Sequence, residues 1–403
     1  MSDYFIQYGD LKLWVEVNKG DKGREERLSL YSSLFMWYNW KTCEIMHGNS
    51  KVVTICKDGT CIIHDAKMLP YNLYLENAGE DSDIDIRMQN LENFYYWCSG
   101  RTISSDRRYG KEILNSISAS HEETEKARAL RALTHHCLSL TDVYWAKAIH
   151  QKMDFAEINL YENHKGNKYI NTALKGRQVS VDNPYLLASI LGTQGCFPKA
   201  WIESEDQLYL VKGGTDEDVE KELLASKISR CFQVNQVMYD PGAYEGESCS
   251  ICKIMTSLEK SIVPMEHFVI YLANQEQNLA QTIFDLDAYN YYMMNIVDYL
   301  VGNTDRHWGN WGVLVDNSTN QSIRLHDLMD FNRAFENYDS VEGANCLTSY
   351  LVENKNQTQK EAAIEAVNKI GLNQIEEVKD EWFEDKRRRE MFFERLSLLQ
   401  GLQ

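Results

Sequence analysis

The sequence predicts an α+β chain in which a small β-rich lobe is followed by a larger helical lobe, with an extra N-terminal α+β domain in front of both. Three observations predict it. At 403 residues, with 43% hydrophobic and 25% charged residues, the chain has a globular composition and is too long for one ordinary domain. Between Tyr185 and Met255 short apolar runs of strand length predominate. After Ser257 the pattern becomes mainly helical. The expected organisation is an accessory region over 1–164, a β-rich lobe over 165–257 and a helical lobe over 258–403.

The first hundred residues read as a strand near Leu11 to Val17, a helix near Glu26 to Trp37, and a hairpin. The hairpin strands, Val52 to Cys56 and Thr60 to His64, flank a turn in which Asp58-Gly59 supplies the geometry. A further strand is expected around Ile84 to Met88. From Ser105 to about His150 the pattern turns helical, with a polar start at Ser118 to Glu123 and a periodic run through Ala127, Leu130, Leu133 and His136.

In the β-rich lobe the strand-like runs are Ala200 to Glu203, Leu208 to Lys212, Val234 to Tyr239 and Ser250 to Met255. One helix near Asp218 to Cys231 interrupts them, giving a small sheet that carries one helix. Beyond it, helices are expected over Asn274 to Phe284 and Leu286 to Val301, and a hairpin over Val313 to Leu325. Terminal helices are expected over Gln357 to Lys369 and Ile375 to Leu399.

Charge and composition narrow the function classes. The formal net charge of −18 repels phosphate backbones and anionic lipid heads, so nucleic-acid coating is not expected. No stretch approaches the roughly 20 apolar residues needed to span a bilayer, and the start lacks a basic and then apolar leader. A soluble, unexported, cytoplasmic protein without a membrane partner is expected. Ten scattered cysteines read as reduced thiols, not a disulfide framework. The lone Cys249-Ser-Ile-Cys252 reads as part of a strand, and Cys43, Cys56 and Cys61 as cross-strand packing.

The chemistry is concentrated in Val301-Gly-Asn-Thr-Asp305-Arg-His307-Trp-Gly-Asn310 and in Asp327-Leu-Met-Asp330-Phe-Asn332. Asp305 and Asn310 stand at the spacing by which a phosphoryl-transfer loop sets a hydroxyl-orienting carboxylate beside an amide ligand for magnesium. The hairpin that follows returns the chain so that Asp330 can share the metal with Asn310 through hard oxygen ligands. His307 can position a phosphate or the loop, or make a structural hydrogen bond. Asp327 reads as a hairpin cap, and Trp308 and Trp311 as core.

Lys212, at the end of a strand, has the position of a cation for the α and β phosphates. Glu222 on the following helix is the first choice to pair with it, and Glu220 the second. Gly192-Thr-Gln-Gly195 is either a turn or a loop whose backbone N–H groups close over phosphates. The chain has neither GxxxxGK[ST] nor GxGxxG, so no P-loop or dinucleotide site is read.

With these positions the chain resembles the HipA-like serine/threonine kinases, an atypical protein-kinase group whose catalytic loop is similar to that of phosphoinositide kinases. The resemblance runs from about Leu138 to Phe335 and is carried by Asn303-Thr-Asp-Arg-His-Trp-Gly-Asn310, Asp330-Phe-Asn332 and Leu210-Val-Lys-Gly-Gly-Thr215. It implies a bilobal protein-kinase-like fold using ATP and magnesium. Asp305 is then the catalytic base, Asn310 and Asp330 the metal ligands, and Lys212 the phosphate-binding lysine. Cys252, Lys253 and Met255 fall where the nucleotide hinge belongs. Asn332 departs from the glycine of a DFG-type motif, and residues 1 to about 137 lie outside the resemblance.

The expected activity is transfer of the γ-phosphoryl group to a protein Ser/Thr hydroxyl, with self-phosphorylation as a family property. The alternatives are a catalytically silent nucleotide-binding protein that engages a regulatory protein through its N-terminal region, and a phosphoinositide-type lipid kinase. Lys386-Arg-Arg-Arg389 is the local basic run that bears on a nucleic-acid reading, and it reads as a solvated helical face; no basic lipid-docking segment is evident.

Overall fold

The computed structural model describes residues 2–8, 11–17, 40–103, 108–116, 124–163, 170–176, 198–336 and 338–402. It is a mixed α and β structure with several antiparallel sheets, and it divides into two compact units, Met1–Leu208 and Tyr209–Gln403. The expected helix at Glu26 to Trp37, the polar start at Ser118 to Glu123 and the Gly192 to Gly195 loop lie outside the described residues. Among the described residues no helix is long and apolar enough to cross a membrane.

In the first unit, β1 (Ser2–Tyr8) and β2 (Leu11–Val17) form an antiparallel hairpin. A second sheet has the order β5-β4-β3-β6, from β3 (Thr42–His47), β4 (Ser50–Cys56), β5 (Cys61–Ile63) and β6 (Tyr144–Ala148). The β4–β5 turn closes because Asp58 Oδ1 accepts from the Thr60 backbone N–H at 3.0 Å and from its hydroxyl at 2.9 Å. Gly59 there has a φ of +85°, and a Cβ would stand 2.0 Å from the Arg87 carbonyl oxygen, so glycine is required. Cys43 and Cys61 are buried in this sheet, each opposite Ile55.

Helices α1 (Ile84–Ser99) and α3 (Glu125–Thr134) cover that sheet; a short α2 (Gly110–Ser116) lies between them in the chain. Phe94, Trp97 and Leu133 bury their side chains against Ile45, Val53 and Ile55. The strand expected at Ile84 to Met88 is instead the first turns of α1, started by Asp83 accepting from the Asp85 N–H at 2.9 Å. The helical reading of Ser105 to His150 fails at β6, where the aromatic Tyr144 and Trp145 favour a strand and Tyr144 to Ala148 pair with β3. Short helices α4 (Phe155–Ile158) and α5 (Ile170–Lys175) and strand β7 (Lys199–Ser204) complete this unit.

The unit boundary falls inside β8 (Gln207–Lys212). In the second unit β10 (Glu247–Lys253) runs antiparallel between β8 and β9 (Tyr239–Tyr244). Helix α6 (Asp216–Ser229) packs on β10 and begins with a reciprocal cap. Thr215 Oγ accepts from the Asp218 N–H at 3.2 Å while Asp218 Oδ2 accepts from the Thr215 N–H at 3.0 Å. The strand expected over Val234 to Tyr239 begins only at Tyr239. The residues before it pair with the chain near Leu328, the Val237 N–H donating to the Leu328 carbonyl at 2.9 Å.

A three-stranded sheet follows, in the order β11-β12-β13, from β11 (Lys260–Pro264), β12 (Gly312–Asp316) and β13 (Gln321–Leu325). Helix α7 (Met265–Asn274) ends where a helix was expected to start. Asn278 instead caps α8 (Leu279–Val301), which bends at Asp287, whose carboxylate accepts from the Leu325 N–H at 3.1 Å. Gly302 ends α8 with a φ of +62°, and a Cβ there would stand 2.4 Å from the Tyr338 ring. Helices α9 (Leu347–Glu353), α10 (Gln359–Ile370) and α11 (Lys386–Gln400) close the unit. The last is shorter than the expected Ile375 to Leu399 because Asp385 accepts from the Arg388 N–H at 2.8 Å and starts the helix there.

Candidate active site

Lys212 ends β8 opposite Ser250 of β10 and is 4% exposed. Its ammonium forms an ion pair with Glu222 of α6, itself buried, and lies 3.0 Å from Asp330 Oδ1. The Ser250 hydroxyl donates to the second oxygen of Glu222. Lys212 Nζ also stands 5.0 Å from the centre of the Tyr239 ring. Burial opposes the charge on Lys212, but Asp330 and then Glu222 outweigh it and hold the ammonium well above its usual range. Burial likewise pushes the Tyr239 phenol up, so it stays protonated.

Asp330 has a φ of +62°, a left-handed backbone uncommon outside glycine. It is held by Lys212, by the Asn332 side-chain amide donating to Oδ1, and by its own N–H donating to the Tyr239 hydroxyl at 3.3 Å. Asn332, standing where a glycine was expected, does not itself take the left-handed backbone. It serves through its side chain.

The loop from Asn303 to Asn310 follows the Gly302 helix stop. Asn303 bridges it internally, donating to Asp298 Oδ1 at 3.0 Å and accepting from the Asp305 N–H at 3.2 Å. Arg306, 3% exposed, meets Asp298 at 2.8 and 2.9 Å and gives its remaining nitrogen to the carbonyls of Asn310, at 2.8 Å, and Met329, at 2.6 Å. One guanidinium thus fixes both the residue 310 backbone and the chain entering Asp330. Asn310 turns its side-chain N–H onto the Asp305 carbonyl at 2.8 Å, and the amide oxygen is the acceptor that remains. The Asp305 side chain is 34% exposed, with Arg333 Nε at 3.8 Å.

His307 holds the loop's turn, its Nδ1 accepting from the Gly309 N–H at 3.0 Å. Asp327 pairs with Arg324 at 2.7 Å beside the hairpin, and Trp311 is buried against Tyr291. Glu220 faces Arg388, not Lys212, at 3.1 Å. Cys252 is buried on β10, opposite Leu210 and Tyr239, and Lys253 is that strand's exposed last residue, with Met255 just beyond. Gly195 lies outside the described residues. Lys386, Arg388 and Arg389 of the basic run each pair with a carboxylate.

Sequence reasoning did not single out Ser250, Tyr239 or Asp298. Ser250 and Tyr239 are set by strand register, which carries no local motif. Asp298 had a faint signal, as a carboxylate on the apolar end of α8 just before the loop that bears Arg306.

A hard cation fits these residues. Two carboxylates crowd one buried ammonium, leaving local negative charge, and the orientation of Asn310 by Asp305 selects its oxygen as donor. Among the described residues no group of three or more His, Cys, Asp or Glu side chains is arranged to hold a metal.

Comparison with protein-family models gives no match, and comparison with curated proteins gives none. Among solved structures, a Helicobacter pylori proinflammatory kinase, CtkA, matches at a TM-score of 0.37 and 17% identity, over 51% of this chain and 89% of that one. A likeness of that size carries no argument, and the chemistry of the site rests on its own side chains.

Proposed function

We propose that the chain is an ATP- and magnesium-dependent, HipA-like phosphotransferase that moves a γ-phosphoryl group to a Ser/Thr hydroxyl of a protein. The observation that carries this reading is Lys212 clasped between Glu222 of the next helix and Asp330 far along the chain, both carboxylates meeting one buried ammonium. A buried lysine between two carboxylates is a poor way to gain stability, because desolvation offsets most of the attraction. As a preorganised cation for phosphates it has a purpose. The sheet of β8, β10 and β9 with α6 then serves as the small lobe and the helices from α7 onward as the large one.

ATP supplies the phosphoryl group, and magnesium when bound spreads the charge that develops on its oxygens. Asn310 and Asp330 are the residues that would hold the metal, and Lys212 holds the α and β phosphates. Asp305 accepts a hydrogen bond from the attacking hydroxyl and orients it. The hydroxyl oxygen bonds to the γ phosphorus as the bond to the β–γ bridging oxygen breaks, ADP departs, and the hydroxyl proton passes to Asp305. Arg306 and Asn303 keep the loop in place throughout.

Incubation with radiolabelled ATP, magnesium and generic protein acceptors tests the reading. Label is expected on an acceptor or on the chain itself, and Asp305→Asn is expected to lower transfer by about a hundredfold or more with nucleotide affinity little changed. Nucleotide binding by the wild type without any transfer would support the silent, partner-binding alternative instead.

A further inference from the structure

We infer that Arg388, on the C-terminal helix α11, is a positioning residue that holds α6 where Glu222 meets Lys212; the inference rests on the phosphotransferase reading and deepens it. Arg388 Nη2 stands 3.1 Å from Glu217 Oε1 and its Nη1 3.1 Å from Glu220 Oε1, so one guanidinium grips two carboxylates a turn apart on the same helix face. The Arg388 side chain is 17% exposed, and its guanidinium carbon lies 5.9 Å from the centre of the Phe335 ring, on the chain leaving Asp330. The other end of α6 is held by the same C-terminal segment. Lys227 Nζ stands 4.4 Å from the centre of the Trp382 ring, and the Ile375 N–H donates to the Cys231 carbonyl at 2.8 Å.

Glu222 lies between these anchors. Its two oxygens are taken by one sheet, the first by Lys212 at the end of β8 and the second by Ser250 opposite it on β10, so a shift of α6 withdraws Glu222 from both. An outward displacement of α6 therefore takes the carboxylate away and leaves Lys212 to Asp330 alone, drawing both toward each other and away from a nucleotide. The consequence of the Arg388 grip is felt in phosphate binding more than in stability, since partly exposed ion pairs contribute little to folding.

The test compares Arg388→Ala with wild type in calorimetric titration with ADP and magnesium, in amide hydrogen exchange over Asp216–Ser229, and in steady-state transfer. In Arg388→Ala the ADP dissociation constant is expected to rise about tenfold, with KM for ATP rising alongside it and exchange in α6 quickening. Arg388→Lys, lacking the fork, recovers only part of this. Arg389→Ala removes a charge one position along, where Arg389 meets Asp380 at 2.9 Å, and leaves all three measurements unchanged. If Arg388→Ala does not fold, the double variant Glu217→Gln/Glu220→Gln removes the grip from the other side with the same expected effect. Unaltered ADP affinity and α6 exchange in either variant overturn the inference, whereas binding without transfer by wild type overturns the phosphotransferase reading alone. Failure of wild type to bind ADP overturns both.

Discussion

Arg306 and Asp298 form a buried two-point ion pair, Nε to Oδ2 at 2.8 Å and Nη2 to Oδ1 at 2.9 Å, and the same guanidinium reaches the carbonyls of Asn310 and Met329. The loop bearing Asp305 and the chain bearing Asp330 are thereby held by one cation. Burial opposes its charge, and Asp298 more than compensates.

Arg306→Ala therefore leaves a buried carboxylate and two carbonyls without their donor. A loss of about 3–5 kcal/mol is expected in urea unfolding. The double variant Arg306→Met/Asp298→Leu is expected to recover part of that loss, since it removes both charges together. A single-variant loss below about 1 kcal/mol would show that the pair does not join the two segments.

Lys212→Met removes the ammonium and leaves Glu222 and Asp330 facing one another. Nucleotide affinity and kcat/KM are expected to fall by about a hundredfold or more, while Glu220→Gln, which touches Arg388 and not Lys212, is expected to cost no more than the roughly tenfold loss of the Arg388 grip. Equal losses in the two variants would place the lysine outside the site.

The contact of Lys212 with Glu222 was legible because a strand end and the next helix are close in the chain and the residue types admit few partners. Placing Asp330 needed only a hairpin, and β12 and β13 supply it. Ser250 and Tyr239 were not legible, because their roles arise from which residue stands opposite which on β8, β9 and β10. Ile84-Asp-Ile-Arg-Met88 misled for a different reason. Its alternation has the period of a strand, but Asp83 caps a helix whose buried face begins further along, at Asn90 and Phe94, leaving Ile84 and Met88 exposed.

His326 follows β13, its ring bonded to the Asp327 carbonyl at 2.8 Å and its N–H to that of Gly312 at 2.9 Å. Burial pushes its pKa down from 6.5 to about 4. The unfolded chain therefore binds a proton between these values that the folded protein refuses, and the stabilisation present above pH 6.5 is lost as pH falls toward 4. That loss is roughly 3 kcal/mol by linkage. Urea unfolding of wild type and His326→Gln at neutral and mildly acidic pH measures it: the variant's profile is expected to be flatter by about 2–3 kcal/mol. Parallel profiles would mean that the ring titrates alike in both states.

Tyr239→Phe isolates the hydroxyl that accepts the Asp330 N–H at 3.3 Å. The ring remains beneath Lys212, so packing and the cation–π contact persist, and only the backbone donor of Asp330 loses its partner. Asp330 sits in a left-handed conformation, and loosening that donor lets the carboxylate leave its position. A stability loss of about 1–3 kcal/mol is expected, with kcat falling more than nucleotide affinity. Since the phenol stays protonated through the physiological range, the defect is expected to be the same from pH to pH, and a defect confined to alkaline solution would assign Tyr239 an ionised role that its burial denies.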